Sequence, residues 1–324
     1  MDNWCQKTED ILIDQGYVPN QSEITERGNQ NKVVRVRCQD TDLAVKWFTE
    51  VEGFNGANIG SQSNRFVGGW YVQTRLQDLL DIPIPTIHHA EFSEDRDFYI
   101  MENIEFVYAD DLWSNDMYLM RVCQEMGSIL SQVHSVSESS IGGIPGKKND
   151  TMENMRRFIK RVENNVSNTP YMAYEQDLSS LTNRYEQIFN PRSTKKLIHG
   201  DTAASNILTN NDGVIVGLVD WEDSMYADPL LDIAIFQSMV CDIFGVFSPW
   251  ETKTLRDSVV ESYSGAVNAE RLRILRALTH LWAGAKINSE AMLSPWNKVA
   301  GRSQMTRQEI HRNRFESIVD EMNN

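Results

Sequence analysis

Three polar residues near the middle of the chain, Asp201, Asn206 and Asp220, stand where short apolar runs begin or end. Between Asn206 and Asp220 lies Asn-Asn-Asp-Gly at 210–213, which is typical of a β-hairpin turn. A hairpin brings the start of its first strand beside the end of its second, so we expect Asn206 to lie close to Asp220, with Asp201 nearby. Hard oxygen ligands with room for water and phosphate oxygens suit Mg²⁺. An Asp base beside an Asn and an Asp on the metal predicts phosphoryl transfer.

The neighbours of these residues have more than one interpretation. Glu222 and Asp223 follow Asp220 directly, and either could reach the metal, face a cationic substrate or face solvent. His199 lies between Ile198 and Gly200, and we expect it to orient the loop through backbone hydrogen bonds. The sequence has no helical HxxxH pattern and no second His close to His199, which argues against zinc.

Length and charge restrict the class of protein. A chain of 324 residues is long for one core and fits two lobes. The net charge of −15, from 46 acids against 31 bases, argues against a nucleic-acid partner. Solubility is the simpler explanation of the acidic balance, and attraction of a cationic substrate is the alternative.

Cellular location is predicted from what the sequence lacks. The four cysteines are far apart, as in a reduced cytoplasmic protein. The start has no basic and apolar leader, and no apolar run approaches the ~18 residues needed to span a membrane. We therefore expect a cytoplasmic protein with no membrane partner; the sequence gives no oligomeric state.

The first third of the chain predicts an antiparallel sheet, with strands near 33–38, 43–48, 86–91 and 98–101. Lys46 alternates with apolar neighbours, so it either points inward toward a nucleotide phosphate or lies on a solvated face. The turn from Gly28 to Asn31 could offer backbone N–H groups to phosphate, or it could be a plain hairpin loop. A helix is expected over 65–80, with Gln73 on its inward side.

The remaining two thirds predict mainly helices, which makes the fold class α+β with two lobes. We expect a nucleotide-binding lobe at 1–103, a hinge at about 101–105, and a catalytic and substrate-binding lobe at 104–324.

A family resemblance follows from these motifs. His199-Gly200-Asp201 with Asn206, followed by Asp220-Trp221-Glu222, resembles the HGDxxxxN and D-[WF]-[EG] pair of the aminoglycoside phosphotransferase and choline kinase group. Asp228-Pro229 with Asp232 resembles the start of a family helix. The group consists of small-molecule kinases with a protein-kinase-like bilobal fold.

The resemblance implies a role for each matching residue. Asp201 would be the catalytic base, and Asn206 and Asp220 would bind Mg²⁺. Lys46 would anchor the α- and β-phosphates of ATP or GTP. Residues 101–104 (Met101, Glu102, Asn103 and Ile104) would hold the base through backbone hydrogen bonds, and Asp232 would support the catalytic loop.

One position departs from the family pattern. Gln73 stands where the family has a helix Glu that pairs with the strand Lys, and a Gln can hydrogen-bond Lys46 but not ion-pair with it. Three consequences are open: Glu50 or Glu52 substitutes for the missing acid, nucleotide affinity is lower, or the helix is repositioned in the active form.

The function predicted is a kinase that phosphorylates a hydroxyl of a small molecule, such as an aminoglycoside, amino alcohol or sugar. Indole faces and carboxylates attract ammonium groups, so a wall of such residues would favour a cationic acceptor. The candidates are Trp250, Trp282, Trp296, Glu222, Asp223 and Glu290. The alternative is a nucleotide-binding pseudokinase with a regulatory or interaction role, which only the missing helix Glu supports.

Overall fold

The fold is described by a computed structural model that covers residues 4–25, 31–48, 62–93, 97–108, 116–167, 169–191, 195–245, 251–289 and 306–323. A five-stranded antiparallel sheet forms the first third. Its strands are β1 (Pro19–Thr25), β2 (Asn31–Cys38), β3 (Asp42–Phe48), β4 (Ile87–Phe92) and β5 (Asp97–Glu102), in the order β1-β2-β3-β5-β4. The four predicted strands are present. Strand β1 was not predicted, because its polar sequence lacks apolar alternation and the strand is formed by pairing with β2.

Helix α1 (Trp4–Asp14) packs on the sheet and closes the first core. Leu12 of this helix is fully buried, and the ring of Trp4 lies 5.4 Å from that of Trp47 in β3. Trp47 also donates its indole N–H to the hydroxyl of Thr8, at 2.9 Å. The sheet therefore has a core of its own, built from α1, β2, β3 and β5.

Helix α2 (Gln62–Gln77) connects this sheet to the rest of the chain. Phe66 stacks on Tyr99 of β5, with ring centroids 5.1 Å apart, whereas Val72 and Leu76 belong to the second, helical core. Gly69 lets the helix approach the turn that follows Asp220: a Cβ at this position would lie 2.9 Å from Cγ of Glu222.

The rest of the chain is mainly helical. The helices are α3 (Asp116–Val133), α4 (Glu138–Ile141), α5 (Thr151–Ser167), α6 (Glu175–Ile188), α7 (Leu230–Phe236), α8 (Thr252–Ser262), α9 (Ala269–Ser289) and α10 (Arg307–Asn323). Helix α7 continues through a wider, π-helical turn, Gln237–Cys241, into a short α-helical segment, Asp242–Phe244. Helix α9 packs against α5, α7 and α10.

Short strands join the two parts and carry the central motif. They are β6 (Val107–Tyr108), β7 (Lys196–Ile198), β8 (Ile207–Thr209), β9 (Ile215–Leu218) and β10 (Met225–Ala227). Strand β6 pairs with β8, so the chain leaves the large sheet after β5 and joins the hairpin sheet within a few residues. The lobe boundary predicted near 103 falls in this connection and stays a prediction. In the ranges that the structure covers, no helix is long and apolar enough to span a membrane.

Candidate active site

The predicted hairpin is confirmed, and it gathers the three central polar residues. Strands β8 and β9 pair in antiparallel register, with Ile207 opposite Leu218. Beyond this pair, the N–H of Val219 donates to the carbonyl of Asn206 at 3.0 Å, so Asn206 lies beside the residue that precedes Asp220. The side-chain amide of Asn206 also donates to the carbonyl of Asp201 at 2.8 Å. Asp201, Asn206 and Asp220 thus meet at the open end of the hairpin.

Asp220 has an unusual backbone. Its φ of 66° and ψ of 58° are left-handed, and no other non-glycine residue in the described ranges has positive φ. Such a conformation costs roughly 1–3 kcal/mol and persists where the surroundings enforce it, often at functional positions. It ends strand β9 and turns the chain abruptly into the 221–223 turn.

Asp232 holds the loop that carries Asp201. Its carboxylate is fully buried in the first turn of α7 and accepts the N–H of His199 at 2.7 Å and that of Gly200 at 2.8 Å. The hydroxyl of Thr202 donates to the Asp232 carbonyl at 2.8 Å. The loop is therefore fixed on both sides of Asp201.

A second histidine supports Asp232 from behind. His134, at the end of α3, lies with Nε2 3.1 Å from the Asp232 carboxylate and Nδ1 2.9 Å from the hydroxyl of Tyr263. Nothing in the local sequence around His134 indicates this contact, because its partner is 98 positions away.

His199 uses both ring nitrogens on backbone groups. Nε2 lies 3.0 Å from the carbonyl of Val219, and Nδ1 accepts the N–H of Asp201 at 3.2 Å. Burial lowers its pKa, so the ring is neutral and can donate at Nε2 while it accepts at Nδ1. These bonds connect the loop at Asp201 to the hairpin strand that leads to Asp220.

The surroundings of Asp201 raise its pKa to about 7. Burial is the largest cause, and the negative charges of Asp223 and Asp220 add to it; Lys286 and a hydrogen bond from Asn206 act in the opposite direction. A carboxyl group with a pKa near the working pH can accept a proton efficiently.

Lys46 points inward from β3 and pairs with two acids of the hairpin turn. Its ammonium group lies 2.6 Å from Glu222 and 3.0 Å from Asp220. Burial alone would lower the pKa of Lys46, but the two carboxylates outweigh burial and hold this pKa well above its usual value. Lys46 is therefore a fixed positive charge that connects the large sheet to the hairpin.

The hydrogen bond that Gln73 could make to Lys46 is not formed among the described residues. The side-chain amide of Gln73 is buried and donates to the carbonyl of Pro85 at 2.8 Å. Glu222 takes the position of an acid partner instead, and it also accepts the side-chain amide of Asn31 at 2.6 Å. Gly28, Glu50 and Glu52 lie outside the described residues.

The segment expected to hold a nucleotide base is partly engaged in the sheet. Met101 pairs with both Ala44 and Ile87, and the N–H of Asn103 donates to the carbonyl of Asp42 at 3.0 Å. A base at this edge would therefore use Ile104 or carbonyl groups of the segment, and not the N–H of Asn103.

The acids and the indole expected to attract a cationic acceptor already face cations of the chain itself. Asp223 accepts Arg65 at 2.9 Å and Arg161 at 3.1 Å, while Glu222 pairs with Lys46. The ammonium group of Lys286 lies 5.5 Å from the ring centroid of Trp282. These three members are thus engaged by cations of the chain, and the cation-binding wall stays a prediction; Trp250, Trp296 and Glu290 lie outside the described residues.

The donor set at the hairpin end suits Mg²⁺. Asn206 offers its side-chain amide oxygen and Asp220 offers its carboxylate as metal ligands. Mg²⁺ is commonly held by one or two such protein groups together with waters and phosphates. The described residues contain no cluster of three or more His, Cys, Asp or Glu that could hold a metal by themselves. A metal here would complete its shell with waters or phosphate oxygens.

Comparison with known proteins supports the resemblance noted in the sequence. Residues 65–275, more than half of the chain, match the profile described as the phosphotransferase enzyme family. No curated protein sequence matches the chain.

Solved structures of similar fold include aminoglycoside 2′-phosphotransferase-IIIa with GDP, with a TM-score of 0.64 and 12% identity over 99% of this chain and 100% of that one. A thermostable mutant of aminoglycoside phosphotransferase APH(4)-Ia with ADP and hygromycin B has a TM-score of 0.59 and 15% identity over 97% and 98% of the two chains. Spectinomycin phosphotransferase APH(9)-Ia with ADP and spectinomycin has a TM-score of 0.58 and 13% identity over 97% and 96%. These similarities confirm the predicted protein-kinase-like α+β fold.

Proposed function

Because the chain belongs to the phosphotransferase enzyme family, we propose that it transfers the γ-phosphoryl group of ATP or GTP to a hydroxyl group of a small molecule. The observation that carries this proposal is the meeting of Asp201, Asn206 and Asp220 at the end of one hairpin. The solved relatives that hold hygromycin B and spectinomycin support hydroxyl-bearing small molecules as the acceptor class to test.

In this proposal Asp201 is the catalytic base. The acceptor oxygen bonds to the γ-phosphorus, the bond from that phosphorus to the β-phosphate oxygen breaks, and the hydroxyl proton passes to Asp201. A nucleoside diphosphate leaves with the bonding electrons. The raised pKa of Asp201 makes its carboxylate a better proton acceptor than an ordinary Asp.

Asn206 and Asp220 would hold Mg²⁺, and Asp232 and His199 would keep the catalytic loop in place. Mg²⁺, when bound, supplies positive charge that stabilises the phosphate oxygens. Lys46 would bind the α- and β-phosphates, for which its ammonium group must share or leave its contacts with Glu222 and Asp220.

The pseudokinase alternative loses its support. It rested on the absence of an acid on α2 to pair with Lys46, and Glu222 supplies that acid from the 221–223 turn.

The test is nucleotide-dependent phosphorylation across small hydroxyl compounds of different charge. Asp201→Asn removes the base and is expected to lower kcat by about 10²–10⁴-fold with little change in nucleotide affinity. The matched control is Asp212→Asn in the exposed hairpin turn, which should keep full activity. Full activity in the Asp201 variant would show that another group takes the proton.

The metal assignment has a separate readout. Asp220→Ala should abolish the Mg²⁺ dependence of nucleotide binding, measured by calorimetry with and without the metal. Unchanged Mg²⁺ dependence would exclude Asp220 as a ligand.

A further inference from the structure

Two arginines from different helices converge on one carboxylate next to the proposed base. Arg65 of α2 and Arg161 of α5 both donate to the same Oδ1 atom of Asp223, at 2.9 and 3.1 Å. One negative charge thus serves two guanidinium groups, and the pair keeps a net positive charge. Each guanidinium has five N–H donors, so most of its donors are not used by Asp223.

Arg65 has a donor that the fold does not satisfy. Its Nε is buried and has no hydrogen-bond partner among the described residues. A buried N–H that is left unsatisfied costs free energy, so such a group usually has a ligand, a water molecule or a catalytic role.

Lys147 adds a third cation to this group. It lies beside α2, where a Cβ at Gly68 would be 4.0 Å from the Lys147 Cε. Burial is the main cause that lowers the pKa of Lys147 to about 8; Asp223 and Glu222 act against it, and Arg65 and Arg161 act with it.

The cluster borders the place where an acceptor hydroxyl must sit. A Cβ at Gly200, the residue before Asp201, would collide with the carbonyl of Asp223. Asp223, which collects Arg65 and Arg161, thus lies against the loop that carries the proposed base.

These cations are distinct from the one on the nucleotide side. Glu222 turns toward the large sheet and pairs with Lys46, whereas Asp223 turns toward α5 and pairs with Arg161. Asp220 and Glu222 pair with Lys46, and Asp223 pairs with the two arginines, so attraction for an anion is local to the guanidinium N–H groups that Asp223 does not use.

We propose that the acceptor is a hydroxylated anion, a small molecule that carries a carboxylate or phosphate group beside the hydroxyl to be phosphorylated. Arg161, Lys147 and the unsatisfied Nε of Arg65 bind the anionic group, and the hydroxyl then faces Asp201. This assignment rests on the proposed phosphotransferase activity and adds the charge of its acceptor.

The first experiment compares acceptors that share a hydroxyl and differ in charge. With Mg²⁺ and either ATP or GTP, glycerate, glycerol 3-phosphate and galacturonate are tested against glycerol, galactose, ethanolamine and kanamycin. We expect kcat/KM for the anions to exceed that of the neutral parents by about tenfold or more, the value of one charge-assisted contact. A higher kcat/KM for glycerate than for glycerol 3-phosphate would indicate a site for a carboxylate, and the reverse order would indicate a site for a phosphate.

The second experiment removes one cation. Arg161→Gln should raise KM for the anionic acceptor by about tenfold while leaving nucleotide affinity unchanged, since Lys46 is not altered. Arg156→Gln is the matched control, because it lies on the same helix and pairs with Glu186 at the surface. A larger effect of Arg161→Gln on nucleotide affinity than on acceptor KM would assign the cluster to the nucleotide and overturn the proposal.

The outcomes separate this inference from the proposed function. Phosphorylation of cationic acceptors in preference to anionic ones would keep the phosphotransferase and overturn the anionic acceptor. If no compound is phosphorylated, the phosphotransferase proposal fails and a binding measurement decides the anion site. Malonate, added with saturating Mg·ADP, should then raise the Tm of the native chain and not that of Arg161→Gln; an absence of any shift would overturn the site as well.

Discussion

At the scale of single residues, the site depends on carboxyl groups whose surroundings differ. Asp201 and Asp223 are both aspartates beside the same turn, yet burial and two acidic neighbours raise the pKa of Asp201, whereas Arg161 and Arg65 overcome burial and hold the pKa of Asp223 well below its usual range. The fold therefore gives Asp201 a carboxylate that can take a proton near neutral pH. Asp223 stays ionised as a structural counterion.

The raised pKa of Asp201 predicts how activity depends on pH. Only the ionised carboxylate can accept the hydroxyl proton, so kcat/KM should fall as the pH drops below about 7, by about tenfold per pH unit. The profile is measured with saturating nucleotide and limiting acceptor. An acid limb near the ordinary Asp pKa of about 4 would contradict the burial of Asp201.

At the scale of elements, the hairpin β8–β9 and the start of α7 position Asp201, Asn206 and Asp220. The hairpin was predictable because its turn signal and its two strands lie within 20 residues, as was the meeting of Asn206 with Asp220. The partner of Lys46 was not predictable, since Glu222 approaches from a turn 176 positions later in the chain, and local alternation cannot show such a contact. For the same reason the sequence left open whether Gln73 bonds Lys46, and the structure shows its amide bonded to the carbonyl of Pro85.

The start of α7 supplies the prediction at this scale. The two carboxylate oxygens of Asp232 accept the N–H groups of His199 and Gly200. Asp232→Asn replaces one of these oxygens by an NH₂ group, which would then face an N–H group and could not accept from it. Misplacement of Asp201 by about 1 Å is expected to lower kcat about 10²-fold. Nucleotide affinity should change little, because the substitution does not alter Lys46.

Rapid-quench kinetics and nucleotide titration measure the two effects separately. The exposed hairpin variant Asp212→Asn serves as the control. Equal kcat for native protein and the Asp232 variant would mean that the loop keeps its shape without this carboxylate.

At the scale of the whole molecule, the helical part is stabilised by a buried charge network away from the site. Asp242 is fully buried and pairs with Arg276 at 2.8 Å, with His280 at 3.0 Å and with Arg256. Burial would raise the pKa of Asp242, but Arg276, His280 and Arg256 hold it well below its usual range. The network connects Asp242, which follows the π-helical turn after α7, to Arg256 of α8 and to Arg276 and His280 of α9.

Removal of this one charge should weaken the fold strongly. Asp242→Asn leaves Arg256 and Arg276 without a buried counterion, and the expected loss is about 3–5 kcal/mol in the free energy of unfolding. Urea denaturation measures it, with Asp257→Asn as the control, since that surface pair with Lys253 contributes at most about 1 kcal/mol. Similar losses in both variants would show that the buried network adds no more than a surface pair.

The close contact of α2 with the turn after Asp220 also determines how the two parts of the molecule can move. A Cβ at Gly69 would lie 2.9 Å from Glu222, so the middle of the helix lies almost directly on the turn. Phe66, near the start of α2, meets the sheet through aromatic rings, and Gln77, at its end, accepts the N–H of Ile87 in β4 at 3.0 Å. Rings can slide past one another with less disruption than a hydrogen bond or a close backbone contact. We therefore expect nucleotide-driven closure to pivot the sheet about the end of α2, which stays with the helical part. In hydrogen exchange, the amides of α2 should follow those of the helical part and not those of the strands.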